Sequence, residues 1–261
     1  MKRLLLAFCL GFCPLAAQAA QAAFDIATAP ISRTNLPWWN TRWHETLAER
    51  DAHQNAQILW LGDSITYYWF RHGTHGYDNI RPVWDQYYAP YDALNFGFVG
   101  DTTASLIWRL DNGQVEGLHP KLVIILIGAN DFGHPHWDAS MTIPAIEDVV
   151  ANTHKRLPNA HILLLGVLPC LRGPWVEAQT LTTNAALAAH YQASPTVTFL
   201  NLGHLFTKDG KAQASLYVDP RFTPPEPALH PDRTGMTLIA EALAPYVREY
   251  VGGAVKSAAQ P

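Results

Sequence analysis

Short apolar runs alternate along the chain with longer segments in which apolar residues recur every three or four positions. The apolar runs are Ile58–Leu61, Ala93–Phe96, Leu122–Ile127, Ile162–Val167 and Val197–Leu200. Runs of this length without polar alternation are typical of strands buried on both faces of a parallel sheet. The segments with helical spacing are Ala104–Leu110, Ile143–Arg156, Trp175–Gln192 and Thr234–Val251. The pattern predicts an α/β fold, a three-layer α/β/α domain around a flavodoxin-like, doubly wound, five-stranded parallel sheet.

Sheets of this kind bind ligands in the crevice outside the carboxyl ends of their strands. The residues that follow each apolar run are therefore the candidates for a functional site. They are Ser64 after the first run, Gly97–Asp101 after the second and Gly128–Asp131 after the third.

The tripeptide Gly62-Asp63-Ser64 lies where the first strand ends and a helix begins. A serine at this position has its hydroxyl at the rim of the sheet, beside backbone N–H groups that have no partner within the helix. Such N–H groups can hold the oxyanion that a nucleophilic serine creates. The alternative interpretation is an ordinary turn that caps the helix.

Three further residues fit the same chemistry. A glycine at the tip of the loop after the second strand, Gly100, lets the backbone approach a substrate and point its N–H at an oxyanion. The side-chain amide of Asn130 can supply another donor, and His230, before the last predicted helix, can act as general base for Ser64. The alternative interpretation of Gly100 and Asn130 is that they are ordinary turn residues, and that of His230 is a purely structural role.

Taken in order, these segments resemble the SGNH hydrolases, also called GDSL esterases/lipases. The matching segments are Gly62-Asp63-Ser64, Gly100, Gly128-x-Asn130-Asp131 and Leu229-His230-Pro231. Further segments are similar to the catalytic subunits of the intracellular type of platelet-activating-factor acetylhydrolase: Asn95–Thr103, Trp108–Gly113 and Pro120-Lys121. The resemblance implies a serine esterase for short acyl groups, acetyl above all. It also implies that Ser64 is the nucleophile, His230 the base, and the N–H groups of Ser64 and Gly100 with the amide of Asn130 the oxyanion hole.

The chain departs from that family at the residue that orients the catalytic histidine. The family has an acid three residues before the histidine, and this chain has Pro227 there. Proline offers only a backbone carbonyl as acceptor. Three interpretations stay open, in this order: a carbonyl or water that leaves a Ser–His dyad, then Glu226, then Asp219.

Other polar and aromatic residues border the predicted site. Asp63 and Asp131 flank catalytic positions in the substrate pocket, where we expect hydrogen-bonding braces rather than reacting acids. Phe132 and His134 are expected to line the acyl or leaving-group pocket, and Asp101-Thr102 to cap the following helix. The closest histidine pairs do not supply the three or four convergent ligands of a metal site, so no metal or cofactor is implied.

The N-terminus predicts export. Lys2 and Arg3 precede an apolar stretch, Leu4–Leu15, which is too short to span a bilayer, and Ala17-Gln18-Ala19 has the small-x-small pattern of a cleavage site. We expect residues 1–19 to be a signal peptide, with cleavage as late as residue 23 as the alternative. The mature protein would then be periplasmic or extracellular.

Composition narrows the classes of partner. Export would leave one of the three cysteines, Cys170, so the mature chain would hold no internal disulfide. A net charge of -4 does not indicate the basic surface that nucleic-acid binding proteins carry. No second segment is long and apolar enough to be an integral membrane span. We expect a single domain over residues 20–251 and a flexible tail over 252–261; the oligomeric state is not predicted.

The predicted substrate is a small-molecule or glycan ester. Nine Trp and ten Tyr fit an exported protein that meets carbohydrate or apolar ligands. Two alternative functions stay open. One is an O-acyltransferase that passes the acyl group to a sugar hydroxyl, and the other is a ligand-binding protein with impaired catalysis.

Overall fold

The computed structural model describes residues 26–74, 76–218 and 228–252. Their central sheet is parallel throughout and has the strand order β2-β1-β3-β4-β5. The strands are β1 (Ile58–Gly62), β2 (Ala93–Gly97), β3 (Leu122–Leu126), β4 (His161–Leu165) and β5 (Val197–Leu200). From β1 the chain passes to β2 at one edge of the sheet. It then crosses to the other side of β1 and adds β3, β4 and β5 in order, so β1 and β3 are neighbours inside the sheet. The predicted doubly wound sheet is confirmed.

Helices pack on both faces of this sheet. They are α1 (Pro37–Ala52), α2 (Ser64–Tyr67), α3 (Arg81–Tyr87), α4 (Thr103–Asp111), α5 (Ala129–Gly133), α6 (Ala139–Arg156), α7 (Pro174–Tyr191), α8 (Gly203–Phe206) and α9 (Arg233–Tyr250). In one layer α4 packs against α6 and α6 against α7, and in the other α9 packs against α3. A two-stranded hairpin, β6 (Thr207–Lys208) with β7 (Lys211–Ala212), follows α8 and was not predicted.

The helix α1 is an element that the sequence pattern does not predict. The segment before β1 forms a helix of 16 residues that begins at Pro37. Proline suits the first helical turn because it lacks the N–H that has no partner there. Trp39 and Trp43 of this helix are buried against Phe98, which lies just after β2. The helix therefore packs under the loop that carries Gly100.

Several sequence predictions fall outside the described residues. They are the signal peptide at 1–19, most of the tail at 252–261, and the three positions considered for orienting the catalytic histidine, Pro227, Glu226 and Asp219. None of the described helices has the length and apolar character needed to cross a membrane.

Candidate active site

Ser64 lies at the junction of β1 and α2, as the first residue of that helix. Asp63 caps the helix by accepting a 2.9 Å hydrogen bond from the backbone N–H of Ile65. A side chain at the preceding Gly62 would collide with Thr66 and with a carbonyl of β3, so the turn packs closely against the sheet. The Oγ of Ser64 is 2.8 Å from the Nε2 of a histidine 166 positions away, His230.

His230 is held by backbone pairing as well as by packing. Its carbonyl accepts a 2.9 Å hydrogen bond from the N–H of Val218, and Tyr217 and Pro231 form an antiparallel bridge beside it. Its ring lies 4.6 Å from the ring of Tyr68, centroid to centroid, and its exposed fraction is 3%. The imidazole is therefore enclosed and directed at Ser64 by the chain on both sides.

The loop after β2 turns sharply at Gly100. The φ angle of this residue is +73°, in the left-handed region that favours glycine. A Cβ added here would lie 3.3 Å from the guanidinium nitrogens of Arg33, so a guanidinium flanks the loop at its tip. The same guanidinium donates to the carbonyl of Val99 at 3.0 Å. We call residues 98–101 the oxyanion loop, after the role that the sequence predicts for Gly100.

Asn130 approaches this loop from α5. Gly128, with a φ angle of +115°, makes the turn that precedes the helix. The amide nitrogen of the buried Asn130 donates to the carbonyl of Asp101 at 3.0 Å. A primary amide carries two N–H donors, so one can fix the loop while the other serves a ligand. The carboxyl ends of β1, β2 and β3 thus bring Ser64, Gly100 and Asn130 to one edge of the sheet.

Asp101 anchors the oxyanion loop through its side chain. Its carboxylate accepts hydrogen bonds from Arg33 at 2.9 Å, from the indole of Trp39 at 2.7 Å and from Arg109 at 2.9 Å. Burial raises the pKa of Asp101, and the three donors oppose that rise by favouring the ionised carboxylate. Two of these donors come from the segment before β1, far from the loop in sequence.

Arg109 is a buried residue of the candidate site to which the sequence motifs assigned no role. It is fully buried on α4 and donates to the carbonyls of Gly62 and Phe96, each at 3.1 Å. Burial lowers its pKa to about 10, so it keeps its charge at neutral pH. The side chain ties the end of β1, next to Ser64, to the end of β2 and to Asp101. The sequence feature that could have identified Arg109 is its position as a charged residue inside an otherwise apolar helical segment.

Asn95 is a second buried brace that the sequence prediction did not single out. Its side chain donates to the carbonyl of Thr66 at 2.9 Å and accepts from the N–H of Gly97 at 2.9 Å. It therefore clamps the helix that begins with Ser64 onto the end of β2.

Asp63 and Asp131 are braces rather than walls of an open pocket, since both are almost completely buried. The carboxylate of Asp131 accepts from the backbone N–H and from the hydroxyl of Thr103, at 3.0 and 2.7 Å. Burial raises the pKa of each aspartate to about 7. Thr102 is the N-cap residue of α4, in line with the sequence expectation, but it makes no side-chain capping hydrogen bond. Asp131 supplies that bond, because the carboxylate of Asp101 faces its three donors instead.

The two remaining predicted pocket residues differ in exposure. Phe132 is completely buried in the core, and its ring lies 6.4 Å from that of Trp175. His134 is exposed at the end of α5, where its backbone N–H donates to the carbonyl of Asn130. Of this pair, only His134 is placed to meet a ligand directly. Within the described ranges, no three His, Cys, Asp or Glu side chains group together as metal ligands.

Comparison with known proteins adds the family to this geometry. The model of the GDSL-like lipase/acylhydrolase family matches residues 60–238. The chain belongs to that family. The matched segment contains Ser64, Gly100, Asn130 and His230, the residues that the sequence prediction placed in the site. This GDSL family is one of ester hydrolases acting on small ester substrates.

Individual relatives agree with the family assignment. The alpha1 subunit of platelet-activating factor acetylhydrolase IB from Bos taurus is 30% identical over 131 residues, which are 50% of this chain and 51% of that protein. The chain thus matches about half the length of the curated relatives. A GDSL-like lipase from Bacteroides thetaiotaomicron superposes with a TM-score of 0.63 at 18% identity, covering 79% of this chain and 97% of the other. A family 3 carbohydrate esterase from Talaromyces cellulolyticus superposes with a TM-score of 0.52 at 17% identity, covering 74% and 96%. These two structures show the shared fold.

Proposed function

We propose that the protein is an exported serine esterase that removes short acyl groups, acetyl above all, from an alcohol. The observation that carries the proposal is the 2.8 Å contact between the Oγ of Ser64 and the Nε2 of His230 at the edge of the sheet. This distance lies within hydrogen-bond reach of a nucleophile and its general base.

Each step of the reaction has a residue to perform it. His230 takes the proton from the Oγ of Ser64 as that oxygen attacks the ester carbonyl. The negative charge that develops on the carbonyl oxygen meets the N–H groups of Ser64 and Gly100 and the amide of Asn130. When the tetrahedral intermediate collapses, His230 gives its proton to the departing alcohol. Water, activated by the same imidazole, then attacks the acyl-enzyme and releases the acid and the free Ser64.

Hydrolysis of p-nitrophenyl acetate by the wild-type protein and by Ser64→Ala tests the proposal. We expect the variant to lose at least about 10³-fold in kcat, because removal of a nucleophile leaves only the residual catalysis of the oxyanion hole. Ser140→Ala is the matched control, since Ser140 is exposed at the start of α6 and bonds only locally to Asp138. Equal rates for wild type and Ser64→Ala would refute the serine mechanism.

The acetyl preference rests on the relatives that carry the name acetylhydrolase. A series of p-nitrophenyl esters with acyl chains of increasing length measures it directly. We expect kcat/KM to be highest for acetate and to fall as the chain lengthens. A maximum at long chains would replace the acetyl proposal by a lipase activity.

Export is proposed from the N-terminal sequence. The predicted signal peptide covers residues 1–19, with cleavage as late as residue 23. The mass of the protein recovered from the periplasm or the medium gives the position of the cut, and an intact Met1 in an exported fraction would contradict the proposal.

A further inference from the structure

A cleft of about 250 Å³ lies between α1, α2 and the oxyanion loop. Its walls combine aromatic rings with charged and hydroxyl groups. The lining residues are Trp38, Thr41, Arg42, Glu45, Tyr67 and Val99.

Two of these residues connect the cleft to the catalytic centre. Val99 directly precedes Gly100, whose N–H is a proposed oxyanion donor. Tyr67 lies three residues after Ser64 at the end of α2, about 5 Å further along the helix axis. The segments that carry the nucleophile and the oxyanion donor therefore also form walls of the cleft, which places the cleft beside the proposed catalytic centre.

The lining is suited to a ring that carries hydroxyl groups. Trp38 has an exposed fraction of 48%, and the guanidinium carbon of Arg33 lies 5.3 Å from its ring centroid. It presents an apolar face, while the hydroxyl of Thr41 and the carboxylate of Glu45 offer hydrogen bonds nearby. An apolar face beside a small number of polar groups is the usual composition of a specific ligand site. The C–H groups of a sugar pack on such a face while its hydroxyls reach the polar groups.

The charges around the cleft are compensated. The guanidinium of Arg33 lies 5.3 Å from the centroid of the Trp38 ring, and that of Arg42 lies 5.7 Å from the Tyr67 ring. Both guanidiniums are themselves paired with carboxylates. The cleft therefore offers no uncompensated charge of either sign to an ionic ligand.

An anionic ligand is disfavoured because the same two arginines are already paired. Arg33 binds the carboxylate of Asp101 at 2.9 Å, and Arg42 binds that of Glu49 at 2.8 Å. The volume of about 250 Å³ is below the range of about 300–1,000 Å³ that is typical of sites for drug-sized molecules, which suits a group of one ring.

We propose that this cleft binds the alcohol part of the ester and that this alcohol is a neutral saccharide unit. The proposal rests on the esterase function proposed above, and it assigns the leaving-group side of that site. Trp38 supplies the stacking face, and Thr41 and Glu45 bond the sugar hydroxyls.

The first test compares two acetate esters that differ in their alcohol. We expect Trp38→Ala to lower kcat/KM for 6-O-acetylglucose about tenfold, the loss of one good aromatic contact, and to change kcat/KM for ethyl acetate, whose alcohol has no ring to stack on Trp38, less than twofold. His44→Ala is the matched control, because His44 is exposed on the same helix and does not line the cleft. Equal losses on both esters, or no loss on either, would overturn the saccharide assignment. A Trp38-dependent preference for acetylcholine over the sugar ester would replace it by a cation site.

The second test does not depend on turnover. Ser64→Ala protein is titrated with 6-O-acetylglucose by calorimetry, with and without Trp38→Ala. We expect binding that weakens about tenfold in the double variant. If Ser64→Ala keeps full hydrolytic activity, the serine mechanism fails while this titration still decides the cleft. If the sugar ester binds neither protein, or binds both equally, the cleft proposal fails by itself.

Discussion

The guanidinium of Arg109 donates a 2.9 Å hydrogen bond to the carboxylate of Asp101, and neither side chain is exposed to solvent. The pair joins α4 to the oxyanion loop at a point where Arg33 and Trp39 also donate to the same carboxylate. A buried ion pair adds little when compared with apolar packing, but it is costly to break, because the remaining charge stays in the core.

The variant Asp101→Asn should therefore be strongly destabilised. It keeps the size of the side chain and leaves the charge of Arg109 without a full counter-charge, which costs about 3–5 kcal/mol of the free energy of unfolding. Urea titration followed by circular dichroism measures the loss. Asp85→Asn is the control, since its ion pair with Arg81 is exposed and should contribute at most about 1 kcal/mol. Similar losses in the two variants would show that the buried pair is not the anchor of the loop.

Asn130→Ala should slow the chemical step without a comparable loss of substrate binding. Removal of one oxyanion donor typically costs about 10²–10³ in kcat, because the interaction strengthens as the oxyanion forms. Steady-state kinetics on p-nitrophenyl acetate separate kcat from KM. Asn112→Ala is the control, an exposed asparagine whose amide bonds only to the carbonyl of Trp108. A rise in KM with unchanged kcat would place Asn130 in ground-state binding instead.

The buried aspartates predict that stability falls as the pH rises toward neutrality. The pKa of Asp131 is raised by burial from 3.8 to about 7, so between these values the unfolded chain is ionised and the folded chain holds a proton. Folding is then favoured at low pH, its free energy declines as the pH increases to about 7, and the contribution is constant above that value.

The isosteric variant Asp131→Asn tests this pH dependence. Its amide can keep both contacts to Thr103 while removing the titration. Urea unfolding at several pH values between about 4 and 8 should give a flatter profile than wild type, the difference reaching at most about 4 kcal/mol. Identical profiles would mean that Asp131 ionises normally in the folded protein.

The residue that orients the imidazole of His230 can be identified by mutagenesis. Asp219 follows Val218, whose N–H bonds the carbonyl of His230, and Glu226 lies four residues before the histidine. Loss of a triad acid in a serine protease costs about 10⁴ in kcat. We compare Asp219→Asn and Glu226→Gln on p-nitrophenyl acetate. A few-fold change in both variants supports a Ser–His dyad, and a loss of several orders of magnitude in one identifies the acid.

The sequence predicted the sheet well because its strands are buried on both faces and form continuous apolar runs. The β5 run, Val197–Leu200, matches the observed strand at both ends. The helix α1 was missed because tryptophans and polar residues mix there without a clear apolar stripe, and its burial depends on contact with Phe98, which is distant in the sequence. Asn95 and Arg109 lie in segments that resemble the family, but the sequence motifs assigned them no individual role, since both bond backbone carbonyls of distant segments, which side-chain motifs do not reveal.

The position of α1 also shows that the site depends on residues outside the segment that the family model matches. The segment matched by the family model begins at residue 60, yet Arg33 and Trp39, upstream of it, bond the carboxylate that anchors the oxyanion loop. Transplanting only the matched segment onto another protein would carry Ser64, His230 and Asn130, but would leave behind two of the donors that hold the loop. The catalytic module of this chain is therefore longer than its recognisable signature.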